Sequence, residues 1–185
     1  MKYFKHIIIF IFINFLAFSS FANEFVGIIG VGVGEVKNQN NQKLENGSKI
    51  FYGDTIIVGS KSTAQVLFLD QTVMTLGEDS ELTIDEFVYD PQSNDGKFVS
   101  NIKSGTIKII TGKISKKDPD NLEIKIPTGA IGARGTEFVV LANSKNENTV
   151  LLLGPGPNNS LGMTPGNLEV TDGVSSVNII QPGFE

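Results

Sequence analysis

The chain has no cysteine, a single histidine and a single arginine among its 185 residues. Without cysteine there can be no disulfide, no thiol nucleophile and no thiolate metal site. Stability must come from apolar burial and backbone ladders. The one histidine, His6, lies in an N-terminal stretch that reads as a signal segment. Once that stretch is set aside, neither Ser-His-Asp nor Cys-His chemistry can be assembled, nor the usual zinc site. The sequence therefore predicts no catalytic, metal or cofactor residue.

Basic charge is also scarce. Fifteen Lys and Arg stand against twenty Asp and Glu. Removing Lys2 and Lys5 with the first 22 residues leaves 13 against 20, a net of −7 over 163 residues. Nucleic acids and anionic lipid surfaces are recognised by clustered Lys and Arg, so neither is an expected partner.

Residues 1–22 have a positive start, Lys2, Lys5 and His6, then the apolar run Ile7 to Phe18. Ser20 and Ala22 follow as small residues at the minus-three and minus-one positions of a cleavage site, the pattern of a secretory signal peptide. Twelve apolar residues are short for a bilayer span, and an uncleaved anchor is the other reading of this segment. Export to the periplasm or beyond is expected, with no integral span after cleavage.

Long helical patterns are missing too. Short apolar runs recur between Gly, Asn, Asp and Ser clusters, which predicts an all-β protein. Leu122, Ile124 and Ile126 alternate with Glu123 and Lys125, as in a strand with one wet face. The segments around Val66–Leu69 and Phe138–Leu141 are apolar on both alternating faces, which predicts strands covered on both sides. A two-layer β-sandwich or a β-roll, solenoid-like stack meets both requirements. Residues 152–167, rich in Pro and Gly, read as a long turn. A terminal hairpin around Asp172-Gly173 follows. The expected division is 1–22 signal peptide, 23–153 β domain, and 154–185 turn and hairpin completing or flanking it.

Few motifs carry chemistry. Gly30, Gly32 and Gly34 lack the spacing and the following helix of a phosphate loop, and their alternation predicts one strand face closely approaching a neighbouring layer. The carboxylates Glu78, Asp79, Glu81, Asp85 and Glu86 match no calcium loop and read as a solvated turn with an outward strand face. Arg134 lies between Gly132 and Gly135, either of which can take a positive φ. Flanking apolar strands predict that its guanidinium is half-buried and paired, with Asp54 or Asp70 as candidate partners. In that reading it pins a turn. The alternative makes it an anchor for an anionic ligand or a partner's carboxylate. A hydrolase using carboxylates alone would need two of them facing each other, for instance Asp54 and Glu137.

These residues resemble the FecR domain family of exported β domains, over about Gly27 to Val150. "GDTIIVGSKSTAQVLFLDQTVMTLGEDSELTID" (with Gly53, Asp54 and Asp70), "IKSGTIKIITGKI" (with Gly105) and "IKIPTGAIGARGTEFVV" carry the likeness. In the last, Arg134, Gly135 and Thr136 fall on the family's Arg-Gly-Thr hallmark. Two departures stand out: Pro127-Thr128 where the family has Thr-Pro, and Asp70-Gln71-Thr72 where it has Asp-Gly-Ser. The sigma-regulator members carry a cytoplasmic segment and a membrane helix before this domain, whereas a signal-like segment stands here. The resemblance implies protein contact. The expected function is a non-enzymatic envelope module that binds another protein or an extracellular polymer, through sheet edges or an acidic face. The alternative is a regulator of sigma-factor cell-surface signalling without its own anchor.

Overall fold

The computed structural model describes residues 24–143, 147–160 and 162–183. The signal-like segment 1–22 lies outside them.

Among the described residues, fourteen strands form one continuous hydrogen-bonded sheet folded into two layers. In chain order they are β1 (Phe25–Val33), β2 (Val36–Asn38), β3 (Lys49–Phe51), β4 (Thr55–Val58), β5 (Thr63–Phe68), β6 (Val73–Leu76), β7 (Glu81–Tyr89), β8 (Gly96–Ile110), β9 (Leu122–Ile126), β10 (Gly129–Arg134), β11 (Glu137–Ala142), β12 (Thr149–Gly154), β13 (Asn167–Thr171) and β14 (Ser176–Ile179). A five-residue helix, α1 (Lys113–Lys117), and a 3-10 turn at Pro119–Asn121 connect β8 to β9. The protein is all-β with no long helix among the described residues, as the sequence predicts.

One layer runs β3-β1-β5-β6-β8-β11-β12, and the other β2-β4-β7-β8-β9-β10-β13-β14. The fifteen-residue β8 belongs to both. Its first half pairs with β7 and, in parallel, with β9, while its second half pairs with β6 and β11. The parallel pairing needs a crossover, which α1 and the 3-10 turn supply. Between the layers Phe68 of β5 packs on Phe98 and Phe87, with ring centroids 4.7 and 5.9 Å away. One contiguous core, including Ile56, Met74, Ile84, Ile109, Ile124, Ile131, Phe138 and Leu152, fills the interior.

Leu122, Ile124 and Ile126 point into that core and Glu123 and Lys125 outward, as their alternation requires. The strands expected to be covered on both faces are not. Val66, Phe68, Phe138 and Val140 are buried, but Leu67 and Val139 are half-exposed, and Leu69 and Leu141 are 47% and 45% exposed. The outward apolar side chains line up across the layer instead. Leu67 stands opposite Val73, and Val73 opposite Ile110, so cross-strand neighbours share the burial that a third layer would give.

The glycine alternation in β1 does not hold one face either. Register shifts between Ile29 and Val31, so Gly30 sits in a bulge beside Leu67, and Gly34 turns with a φ of 79° against Ser62. Gly27 makes a close backbone approach, with a built Cβ 2.5 Å from the Leu67 carbonyl oxygen and 3.1 Å from the Phe68 Cα.

Candidate functional site

The residues that carry the family likeness gather where the chain crosses from one layer to the other. Gly53, with a φ of 82°, and Asp54 form the corner from β3 to β4. The Asp54 carboxylate accepts the Phe51 N–H at 2.9 Å and the Gln39 side-chain amide at 3.3 Å, closing that corner. Gly105, with a φ of 96°, is the pivot of β8. A Cβ on it would stand 2.6 Å from the Ser80 Cβ and closer still to the Ser80 Cα. Gly135 and Thr136 form the corner from β10 to β11, with a φ of 51° at Gly135.

Asp70 serves a hairpin rather than a corner. It is fully buried between β5 and β6. Its carboxylate accepts the Thr72 N–H at 3.0 Å and the Thr72 hydroxyl at 2.8 Å, and the backbone N–H of Ile114 also reaches it. The Asp70 carbonyl accepts Lys113 N–H at 2.7 Å, while Thr72 Oγ1 accepts Gly112 N–H at 3.0 Å. Three N–H groups at the start of α1 are thus satisfied from the hairpin, since Gly112 has no side chain to cap with. Burial raises the Asp70 pKa above the ordinary carboxylate value, and the hydrogen bonds from Thr72 and Ile114 oppose that shift.

Neither aspartate is the partner of Arg134. The arginine is exposed at the end of β10, and among the described residues its side chain forms no hydrogen bond or ion pair. The expected half-buried, paired guanidinium is therefore corrected. β10 ends at Arg134 opposite Asn167 of β13, on the outward-facing side of the layer. The turn is pinned two residues later. Thr136 is buried, its N–H donates to Thr111 Oγ1 at 2.8 Å, and its hydroxyl donates to the Gly154 carbonyl at 3.0 Å. Gly166 lies so close to Thr136 that a Cβ there would stand 2.7 Å from the threonine Cβ. Ser115 of α1 reaches the same corner, donating to the Ala133 carbonyl and accepting Gly135 N–H at 3.4 Å. Gly132 has no positive φ and nothing within 4 Å of a built Cβ, so it is an ordinary extended residue, not a turn glycine.

Two clefts flank the guanidinium. The first, about 500 Å³, is floored by Ala130 and Gly132 and bordered by Asp120, Glu123 and Glu169. Glu123 and Glu169 face Gly132 from the two neighbouring strands. Asn167, also at this cleft, buries its side-chain oxygen without a hydrogen-bond partner. The second cleft, about 510 Å³, joins Arg134 to Lys116, Lys117, Pro119, Pro155, Met163 and Thr164.

Of the clustered carboxylates, Glu78 accepts the Lys61 backbone N–H at 2.8 Å and three form surface ion pairs. Glu81 meets Lys103, Asp85 meets Lys125, and Glu86 meets Lys97. Among the described residues no three acidic or histidine side chains could hold a metal ion. Of the two carboxylates considered as a hydrolytic pair, Asp54 is engaged by Phe51 and Gln39, and Glu137 by Lys108.

Sequence reasoning missed β10, because its two glycines and Ala-rich composition hid a strand, and it missed the basic cleft, the second of the two. Lys116-Lys117 in "GKISKKDPD" was the available signal for the latter.

The family model described as FecR protein matches residues 54–154, more than half of the chain, from the Asp54 corner to the last residue of β12. The chain belongs to the FecR family. No curated protein and no solved structure matches it. The FecR match takes in Asp54, Asp70, Gly105, Gly132 and the Arg134-Gly135-Thr136 hallmark, and leaves Gly53, β1, β2 and β3 outside. FecR proteins form a regulatory, non-catalytic, envelope-associated family, and membership points to a role in sigma-factor signalling. No helix among the described residues is long and apolar enough to cross a membrane.

Proposed function

We propose that this FecR domain is an exported, non-catalytic binding module of the cell envelope, and that it works by protein contact at the Arg134 corner. One observation carries the reading. Of the three hallmark residues, Gly135 and Thr136 are consumed by the fold, while Arg134 is left exposed and unpaired between two clefts. A guanidinium presents five donors in a rigid fork, and such a fork held on a fixed strand end is suited to a partner's carboxylate. Its side chain forms no hydrogen bond or ion pair among the described residues.

Site-specific photo-crosslinking tests this reading. A photo-reactive residue at position 134, in cells of the native host, should give one discrete protein adduct. The same residue at Lys43, a remote exposed site, should not. Diffuse or absent adducts from position 134 would remove the proposal.

A second reading, a periplasmic regulator of sigma-factor signalling, is favoured by family membership alone. Deleting the gene and measuring transcription from sigma-dependent promoters separates the two. Altered transcription supports the regulator, and unchanged transcription with a retained adduct supports a stand-alone module.

A further inference from the structure

The second cleft has a composition out of keeping with an acidic chain. Among the described residues, Arg134, Lys116 and Lys117 line it without a single carboxylate, although acidic residues outnumber basic ones by five in the sequence. Lys117 is already engaged, by Asp95 in an ion pair and by the Ser93 carbonyl at 2.9 Å. Lys116 is not: its side chain makes no hydrogen bond or ion pair among the described residues. Its stem passes 3.8 Å from the point where Gly135 would carry a Cβ, which keeps it beside the corner bearing Arg134.

The rest of the lining is two stiff prolines, Pro119 and Pro155, with Met163, Thr164 and Gly135. Prolines cost little further entropy when a ligand orders against them, and methionine adapts to varied side chains. The loop behind Pro155 is closed by Gly166 N–H on the Pro155 carbonyl at 2.8 Å, and Asn159 bridges to Gly156 and Met163. No aromatic side chain lines the cleft among the described residues.

Resting on the binding reading above, we infer that this cleft receives the C-terminal carboxylate of a partner polypeptide whose last residue is apolar. The Arg134 guanidinium and the Lys116 ammonium donate to the two carboxylate oxygens, and the terminal side chain lies against Pro119, Pro155 and Met163. A volume near 510 Å³ accommodates one to two residues. The first cleft, bordered by three carboxylates, stands on the other side of Arg134 and repels the same group, which orients the ligand.

The test is an amide-shift titration of the isotopically labelled protein with N-acetyl-Phe-Leu carrying a free carboxylate, beside the same dipeptide as its C-terminal amide. The free acid should shift the Lys116, Gly135 and Thr164 amides and bind at least about tenfold more tightly than the amide, as expected when hydrogen bonds to charged groups are lost. Arg134→Ala and Lys116→Ala should each weaken the acid about tenfold and leave the amide unchanged, with other resonances unmoved as the folding control. Equal binding of acid and amide, or insensitivity to both substitutions, would overturn the inference. Sodium acetate and inorganic phosphate are the remaining arms. Phosphate matching the dipeptide would show a general anion site and refute the terminal-carboxylate claim, whereas acetate far weaker than the dipeptide supports the apolar contribution. If the dipeptide fails while the position-134 adduct persists, this inference falls and the binding module stands. If both fail, both fall.

Discussion

Replacing Gly105 with alanine should be among the most damaging single-methyl additions in this protein. The residue sits where β8 leaves one layer for the other, and its φ of 96° lies in the region that L side chains rarely adopt. Holding a non-glycine residue there costs about 1–2 kcal/mol. The new Cβ would also stand 2.6 Å from the Ser80 Cβ and closer to the Ser80 Cα, which is backbone and cannot swing aside. Forcing a methyl into a packed site costs about 1–3 kcal/mol more. The sum, about 2–5 kcal/mol, is a large share of the roughly 5–15 kcal/mol by which such domains are stable. Urea unfolding followed by circular dichroism reads it directly. With a slope of about 2 kcal/mol/M, the midpoint should fall by about 1–2.5 M at unchanged slope. A midpoint within about 0.25 M (about 0.5 kcal/mol) of the parent would refute the pivot reading, since it would mean that β8 can bend elsewhere.

Gly132→Ala provides the contrast: extended backbone and open space predict a change within about 0.5 kcal/mol by the same assay. Thr136→Val keeps the shape but strands the Gly154 carbonyl and should cost about 1–3 kcal/mol. Asp70→Asn should change the pH dependence of stability. A carboxyl whose folded pKa is raised binds more protons folded than unfolded, so its contribution to stability grows as pH falls through the folded value and levels off below the unfolded value near 3.8. The stability gap between parent and variant should therefore move in the parent's favour between neutral pH and pH 4, and a gap that is flat or moves the other way would contradict the burial argument. Glu137→Gln removes a half-exposed ion pair with Lys108 and should shift stability by less than about 1 kcal/mol, more at low salt than at high.

Much of the fold was legible in the residues because burial writes a period-two pattern. Leu122, Ile124 and Ile126 announced both the strand and its inner face. That pattern fails where side chains are too small to show it. β10 has only Ile131 and Ala133 to mark its inner face, and in β1 the bulge at Gly30 shifts the alternation partway along. Apolar character on both faces of β5 and β11 was overread, because a half-exposed leucine beside cross-strand neighbours needs no further layer. The candidate site was legible in type but not in role. Flanking apolar strands implied a half-buried, paired Arg134, yet the strand ends there and the side chain emerges into solvent. The pin is Thr136, whose partners Thr111 and Gly154 are 25 and 18 residues away in sequence, and no local reading links them. Asp70 likewise caps a helix more than forty residues distant, through a hairpin that the sequence marks only as a turn.

Thermal unfolding of Arg134→Ala is the most direct test that the hallmark divides into two structural residues and one kept for a partner. An exposed, unpaired side chain predicts a melting temperature within about 2 °C of the parent. A fall of about 6 °C or more would mean that the arginine holds the corner after all, and the division of labour proposed for Arg134, Gly135 and Thr136 would be wrong.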